Sequence, residues 1–148
     1  MAILRGQTGT ISFANGPAEG AGVYIQKWSA TITNEHKDIA SFSNNVDGAP
    51  LLMTVAQRIK GVAEGFLGRG VVDVITLAMI GTVGLMPTAT DNAMLLTADT
   101  GKTFGFNGVF SNVEIGPVSA IAGENPVPCR FNFENSGSGI TITWEVDT

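Results

Sequence analysis

Alternation with a period of two residues is what most restricts this chain. In Pro128–Asn135, Cys129, Phe131 and Phe133 alternate with Arg130, Asn132 and Glu134. In Ile140–Asp147, Ile140, Ile142, Trp144 and Val146 alternate with Thr141, Thr143, Glu145 and Asp147. Earlier, Val23 and Ile25, then Trp28, Ala30 and Ile32, fall on one side, with Ser29, Thr31 and Thr33 between them. Successive side chains of a strand point to opposite faces, so each segment reads as a strand with one apolar face. Strands of this kind, spaced by turn residues, pack as an antiparallel β-sandwich or barrel. The 19 glycines supply the turns and bulges that such a fold needs.

The remaining segments fit around these strands. Gly6–Phe13 reads as a short strand after an N-terminal arm (residues 1–6), and Asn15-Gly16-Pro17 as a turn. Ala56–Leu67 and Ala93–Ala98 read as strands, and Asp99-Thr100-Gly101 as a turn. Thr103–Ile115 has a hairpin pattern. Val71–Ile80 places Val71, Val72, Ile75, Ala78 and Met79 near one helical face between Gly70 and Gly81. Its β-branched residues pull toward strand, but the spacing predicts a helix. The predicted fold is mainly β: an antiparallel β-sandwich or barrel flanked by one α-helix, with a long projecting loop.

That loop is residues 34–54, following the strand Val23–Thr33. Asn44-Asn45, Asp47-Gly48 and Pro50 break any regular pattern there. A connection of roughly twenty residues is long for a structureless link, so it is functional or holds an extended hairpin.

A chain of 148 residues forms one domain with a real core. Charged residues are 14% of it, against about 25% in an ordinary soluble domain, while 44% is apolar. A surface so poor in charge suits a subunit covered by neighbours. The net charge is -5, and the 8 Lys and Arg are spread from Arg5 to Arg130. This offers no basic footprint for static nucleic-acid binding. Cys129 is the lone cysteine, which excludes an intrachain disulfide and the multi-cysteine zinc patterns. The MAILRGQTG start does not read as a signal peptide, and Val71–Met86 is too short and broken by Asp73, Gly81 and Gly84 to span a bilayer. Cytoplasmic synthesis and a soluble product, with no membrane insertion, are expected.

No segment carries catalytic chemistry. Thr100-Gly-Lys-Thr103 imitates the end of a phosphate-binding loop, but Leu96 stands where the first glycine belongs and a strand follows instead of a helix. His36, with Glu35 and Asp38 close in sequence, lacks the converging ligands of a metal site and reads as a solvated loop residue. Cys129 is in phase with Phe131 and Phe133, so it faces the core as an inert thiol rather than pairing with His36. The carboxylates are dispersed and select no hydrolytic pair. Trp28 and Trp144 are in phase with apolar neighbours, which favours core packing over a sugar groove. The expectation is a non-enzyme with no cofactor, no metal and no catalytic residue.

The order of these motifs resembles the tail tube proteins of long-tailed bacteriophages, whose fold recurs in type VI secretion tubes. The likeness is carried by Lys27-Trp28-Ser29-Ala30-Thr31-Ile32-Thr33, by Asp38-Ile39-Ala40-Ser41-Phe42, and by Arg58-Ile-Lys-Gly61-Val-Ala-Glu64-Gly65-Phe66. It continues through Phe106-Asn107-Gly108-Val109, Ser111–Ile115 and the closing pair of alternating strands. It covers most of residues 8–146. Ala40 departs from the usual Thr, and Val71–Met86 is unusually apolar. The resemblance implies hexameric rings of a β-sandwich with one helix. Their sheets join around a channel, and the rings stack through the long loop and the termini. It implies partners as well: copies of itself, other tail proteins (a sheath, a tape measure, a baseplate), and DNA in transient, non-specific passage. Net negative charge suits such a lumen if acidic residues line it. The location implied is a virion tail assembled in a bacterial cytoplasm. The expected inter-subunit residues are Glu35, His36, Lys37, Asp38, Phe42, Asn44, Asn45, Leu51 and Leu52. Alternatives stand beside the main tube subunit: a tail-end or baseplate ring protein, a capsid cement, head-decoration or other virion β-protein, and a carbohydrate-binding module.

Overall fold

The computed structural model describes residues 4, 6, 9–13, 23–41, 48–68, 81, 83–84, 93–121, 126–137 and 139–146. Seven strands account for most of them: β1 Thr10–Phe13, β2 Val23–Asp38, β3 Leu52–Leu67, β4 Ala93–Asp99, β5 Lys102–Ile115, β6 Val127–Asn135 and β7 Thr141–Trp144. Neighbouring strands pair antiparallel in the order β1-β4-β5-β6-β3-β2, and β7 adds beside β5. The antiparallel, mainly β architecture is the one the alternation predicts. The helix expected at Val71–Ile80 lies outside the described residues, and none of the described residues is in an α-helix.

The sheet curls because β5 serves two layers. Its first part, Lys102–Asn107, pairs with β4, and Lys102–Gly105 also pairs with β7. Its second part, Gly108–Ile115, pairs with β6. Asn107-Gly108 looks like a hairpin turn in the sequence, yet the strand runs straight through it, so the hairpin predicted within Thr103–Ile115 is one long strand. The chain uses this glycine for close approach. A Cβ on Gly108 would stand 2.8 Å from the Glu134 carbonyl oxygen and 2.7 Å from Met94 Sδ. An extra residue between Phe110 and Asn112 then bulges the strand as it joins the second layer.

The core fills the space between the layers. Ile11, Met94, Leu96 and Phe106 from one layer meet Ile59, Ala63 and Phe133 from the other. Val23, Cys129 and Phe131 continue it. Phe131 is 0% and Phe133 1% exposed, so the alternation of β6 is read correctly as inside and outside. Cys129 is buried as expected, and burial pushes its thiol pKa up despite the Gly65 backbone hydrogen bond that pulls it down. Trp28 packs partly buried against the core. Trp144 does not follow: it is 52% exposed, and Ile142 and Val146 are exposed with it. They lie on or just past β7, which among the described residues pairs with β5 alone, so their alternation reaches beyond the layer described opposite it. Phe104 meets the Trp144 ring edge-on at 6.3 Å, and Lys102 Nζ stands 5.8 Å above it.

Candidate functional site

The long hairpin of β2 and β3 is the most conspicuous surface feature. Each strand has 16 residues, longer than the sequence reading of Val23–Thr33 and Ala56–Leu67. Residues 34–54 are therefore strand at both ends, with Asn34–Asp38 on β2 and Leu52–Thr54 on β3. Breakers between residues 44 and 50 drew the loop too wide, because the polar run Asn34–Asp38 lacks the apolar alternation by which a sheet strand is recognised.

The hairpin has two halves. From Val23 to Thr31, β2 lies against a stretch of β3 that β6 backs on its other side, up to Lys60↔Glu134. Beyond that point, among the described residues, Thr33–Asp38 and Leu52–Arg58 pair as strands only with each other. At ~3.3 Å per residue this ribbon reaches about 20 Å past the sheet. Asn135 marks the boundary. Its amide group donates to the Gln57 carbonyl (2.9 Å) and accepts from the Ile59 N–H (3.1 Å), standing in for the strand residue that would come next.

Side chains staple the ribbon across its width. Glu35 Oε1 lies 2.9 Å from Arg58 Nε. His36 Nδ1 and Thr54 Oγ1 are 3.1 Å apart in a cross-strand pair. Asp38 Oδ1 accepts from the N–H groups of Ala40 (2.8 Å) and Leu51 (3.3 Å), and Ile39 N–H donates to the Leu51 carbonyl (2.8 Å). Yet Ile39, Leu51, Leu52, Met53 and Val55 all present 41% or more of their surface. An isolated two-stranded ribbon is marginal in water, and this one leaves five large apolar side chains exposed near its end.

The structure thus brings Glu35, His36, Lys37, Asp38, Leu51 and Leu52 together on the ribbon. Phe42, Asn44 and Asn45 lie outside the described residues. Sequence reasoning missed Ile39, Met53, Val55 and the stapling partners Thr54 and Arg58. The signal available was the aliphatic run Leu51-Leu52-Met53-Thr54-Val55, which is too continuous for a loop on a surface. Thr100-Gly-Lys-Thr103 forms the β4–β5 turn with Gly101 at φ 76°, and Lys102 Nζ donates to the Glu145 carbonyl, tying the strand after the turn to β7. Among the described residues, no three His, Cys, Asp or Glu side chains converge.

The outer face of the β5-β6-β3-β2 layer carries the charges. Lys27 lies 3.0 Å from Glu64, and Arg130 lies 3.5 Å from the same carboxylate. Lys60 is 3.8 Å from Glu134. The hydrogen bond from Lys27, reinforced by the charges of Lys27 and Arg130, holds the Glu64 carboxyl below the usual carboxylate range against a smaller desolvation effect. Such exposed pairs order side chains more than they stabilise the fold.

Together these features define an antiparallel, curled-sheet protein with a stapled hairpin held out in solvent. No family model matches the sequence, and no curated protein matches it. The chain shows a likeness to two solved structures. One is a chain in the virion of a native gene transfer agent particle, 14% identical at a TM-score of 0.48, covering 83% of this chain and 85% of that one. The other is in the tail of an empty gene transfer agent particle with C6 symmetry, 13% identical at a TM-score of 0.47, covering 88% and 89%.

Proposed function

We propose that this chain is a structural subunit of a phage-like tail tube, in which copies join side by side into hexameric rings that stack around a channel for DNA. The single observation that carries this reading is the distal half of the β2–β3 hairpin, which is ordered by its own staples yet exposes its aliphatic end. A feature held in shape and left uncovered has its partner on another molecule, and the ribbon is long enough to cross into a neighbouring ring. The motif resemblance in Lys27–Thr33, Asp38–Phe42 and Arg58–Phe66 supplies the class. The proposal sets the chain in the same kind of particle as the two likenesses above, but it rests on the hairpin.

In this reading Glu35, His36, Lys37, Asp38, Leu51 and Leu52 belong to the stacking contact, together with Ile39, Met53 and Val55, and with Phe42, Asn44 and Asn45 beyond the described residues. The outer face of the β5-β6-β3-β2 layer is the candidate channel wall. It is charge-balanced, not acidic: Lys27, Lys60 and Arg130 stand among Glu64, Glu114 and Glu134. Cations matched by anions offer a sliding phosphate backbone no net attraction. A sheath, a tape measure and a baseplate are the partners this role calls for, and the assembled tail in the virion is its location.

The test replaces residues 36–54 with a two-residue Asn-Gly turn. Circular dichroism should report a folded β-protein, and negative-stain images should show single rings instead of hollow tubes. Tubes of normal length from the shortened chain would remove the ribbon from the stacking contact.

A further inference from the structure

The rows of the β5-β6-β3-β2 layer are complementary from one edge to the other. In one row Lys27 on β2 stands opposite Glu64, Glu64 opposite Arg130, and Arg130 opposite Glu114 on β5, so the signs alternate across four strands. The row starts with a cation at the β2 edge and ends with an anion at the β5 edge. The adjacent rows behave alike. Trp28, Ala63, Phe131 and Val113 form the next, then Ser29, Val62, Asn132 and Asn112, then Ala30, Gly61, Phe133 and Phe110. Up to the bulge between Phe110 and Asn112, the residues at the two ends of a row are matched in kind: large Trp28 with smaller Val113, and polar Ser29 with polar Asn112.

Strand direction agrees with this. Four strands that alternate in direction leave β2 running opposite to β5, so a second copy laid beside the first in the same orientation continues the sheet antiparallel. Among the described residues, β2 pairs with β3 alone, and the second part of β5 pairs with β6 alone. Ser111, Asn112, Glu114 and Ile115 at that end of β5 are exposed.

We infer that the β2 edge of one copy adds to the β5 edge of the next in a fixed register, with Lys27 opposite Glu114, Trp28 opposite Val113 and Ser29 opposite Asn112 of the neighbour. The charge row then runs unbroken around the assembly, and the alternation of sign selects this head-to-tail register. A one-residue slip puts charge on the apolar side, and a two-residue slip separates Lys27 from Glu114. Opposite charges facing each other across strands favour the pairing, and like charges oppose it. The joint is heterologous, so it repeats and closes into a ring when the rotation allows. The inference rests on the ring-forming reading above and adds to it the edges and the register.

Disulfide trapping tests it. Within one chain Ser29 and Asn112 lie three strand spacings apart, about 14 Å, beyond the ~7 Å that a disulfide spans. Cys129 is 4% exposed and does not compete. The S29C/N112C double variant, oxidised after assembly, should give a ladder of covalent multimers in denaturing gels. S29C alone and N112C alone should stay monomeric, and an equal mixture of the two should stop at dimers. Dimers from S29C alone would show a two-fold joint between β2 edges and overturn the inference. Rings that form without any ladder would overturn the register while leaving the tube reading intact. Absence of any self-association by sedimentation, in the wild-type chain too, would overturn both.

Discussion

The two halves of the β2–β3 hairpin are built from the same strands but held by different physics. The proximal half is backed by β6 and by the core, where Ile59 and Ala63 are essentially without exposure. Burial fixes it, and its outer charges are secondary. Among the described residues, no third strand lies beside the distal half, which keeps its shape by Glu35–Arg58, His36–Thr54 and the Asp38 carboxylate. Its aliphatic residues face solvent. The contrast teaches that strand continuity alone does not locate the core: one pair of strands can serve the fold at one end and an assembly at the other.

The largest effect that sharpens this contrast comes from truncating matched apolar residues on either side of it. Phe133→Ala empties a core position at 1% exposure that contacts Phe106 and Phe13 rings at 6.0 and 6.2 Å. It should cost the isolated subunit about 3–5 kcal/mol in urea unfolding. Leu52→Ala, at 57% exposure on the ribbon, should change subunit stability by less than ~0.5 kcal/mol. A comparable loss from both would mean that the ribbon is packed on its own subunit, and the contrast would fail.

A smaller effect tests why glycine stands where the two strands approach most closely. A Cβ on Gly65 would collide with the Tyr24 carbonyl oxygen and reach 2.8 Å from Ile25 Cα, next to the bulge between Ile25 and Lys27. Gly65→Ala should therefore cost about 1–3 kcal/mol through backbone displacement, measured by thermal unfolding. Gly48→Ala, at the described base of the tip, meets no atom within 4 Å and carries only the strain of its φ of 69°. It should fall well below the Gly65 change.

How much of this was legible follows from what each residue meets. The phases of β6 and the proximal half of β2 were readable because both have one dry face, and the phase change after Ile25 is now seen as a bulge. Gly61 and Gly65 stood out as a motif. The structure explains them by the Ser29 and Tyr24 carbonyl oxygens that a side chain would strike. The side of β7 that carries Ile142 and Trp144 was misread because its alternation is real but, among the described residues, no layer covers that side. The run through Asn107-Gly108 was misread because turn propensity is local, whereas crossing between layers is decided by β4 and β6 on either side. The length of the ribbon segment made an extended hairpin one of its two readings, and the strands at both of its ends agree with that; where those strands begin was not legible, since a strand stabilised by side-chain staples carries no hydrophobic period.

The smallest expected effect is electrostatic and lies on the proximal half. Glu64 takes the Lys27 hydrogen bond and the Arg130 charge, so its folded pKa lies below its unfolded value. Stability from this group is then fully present above the ordinary carboxylate range and is lost as pH falls through the lowered folded value. Because the group is solvated, the change in global stability on acidification should be slight. The carboxyl resonance reports it directly. In an NMR titration of the isolated subunit, Glu64 should titrate below the usual carboxylate range, and Lys27→Ala should move its midpoint upward. An unmoved midpoint would remove Lys27 from the row. An upward shift, with Arg130 still beside the carboxylate, would show that the β2-edge cation anchors the charge alternation that a neighbouring copy would extend.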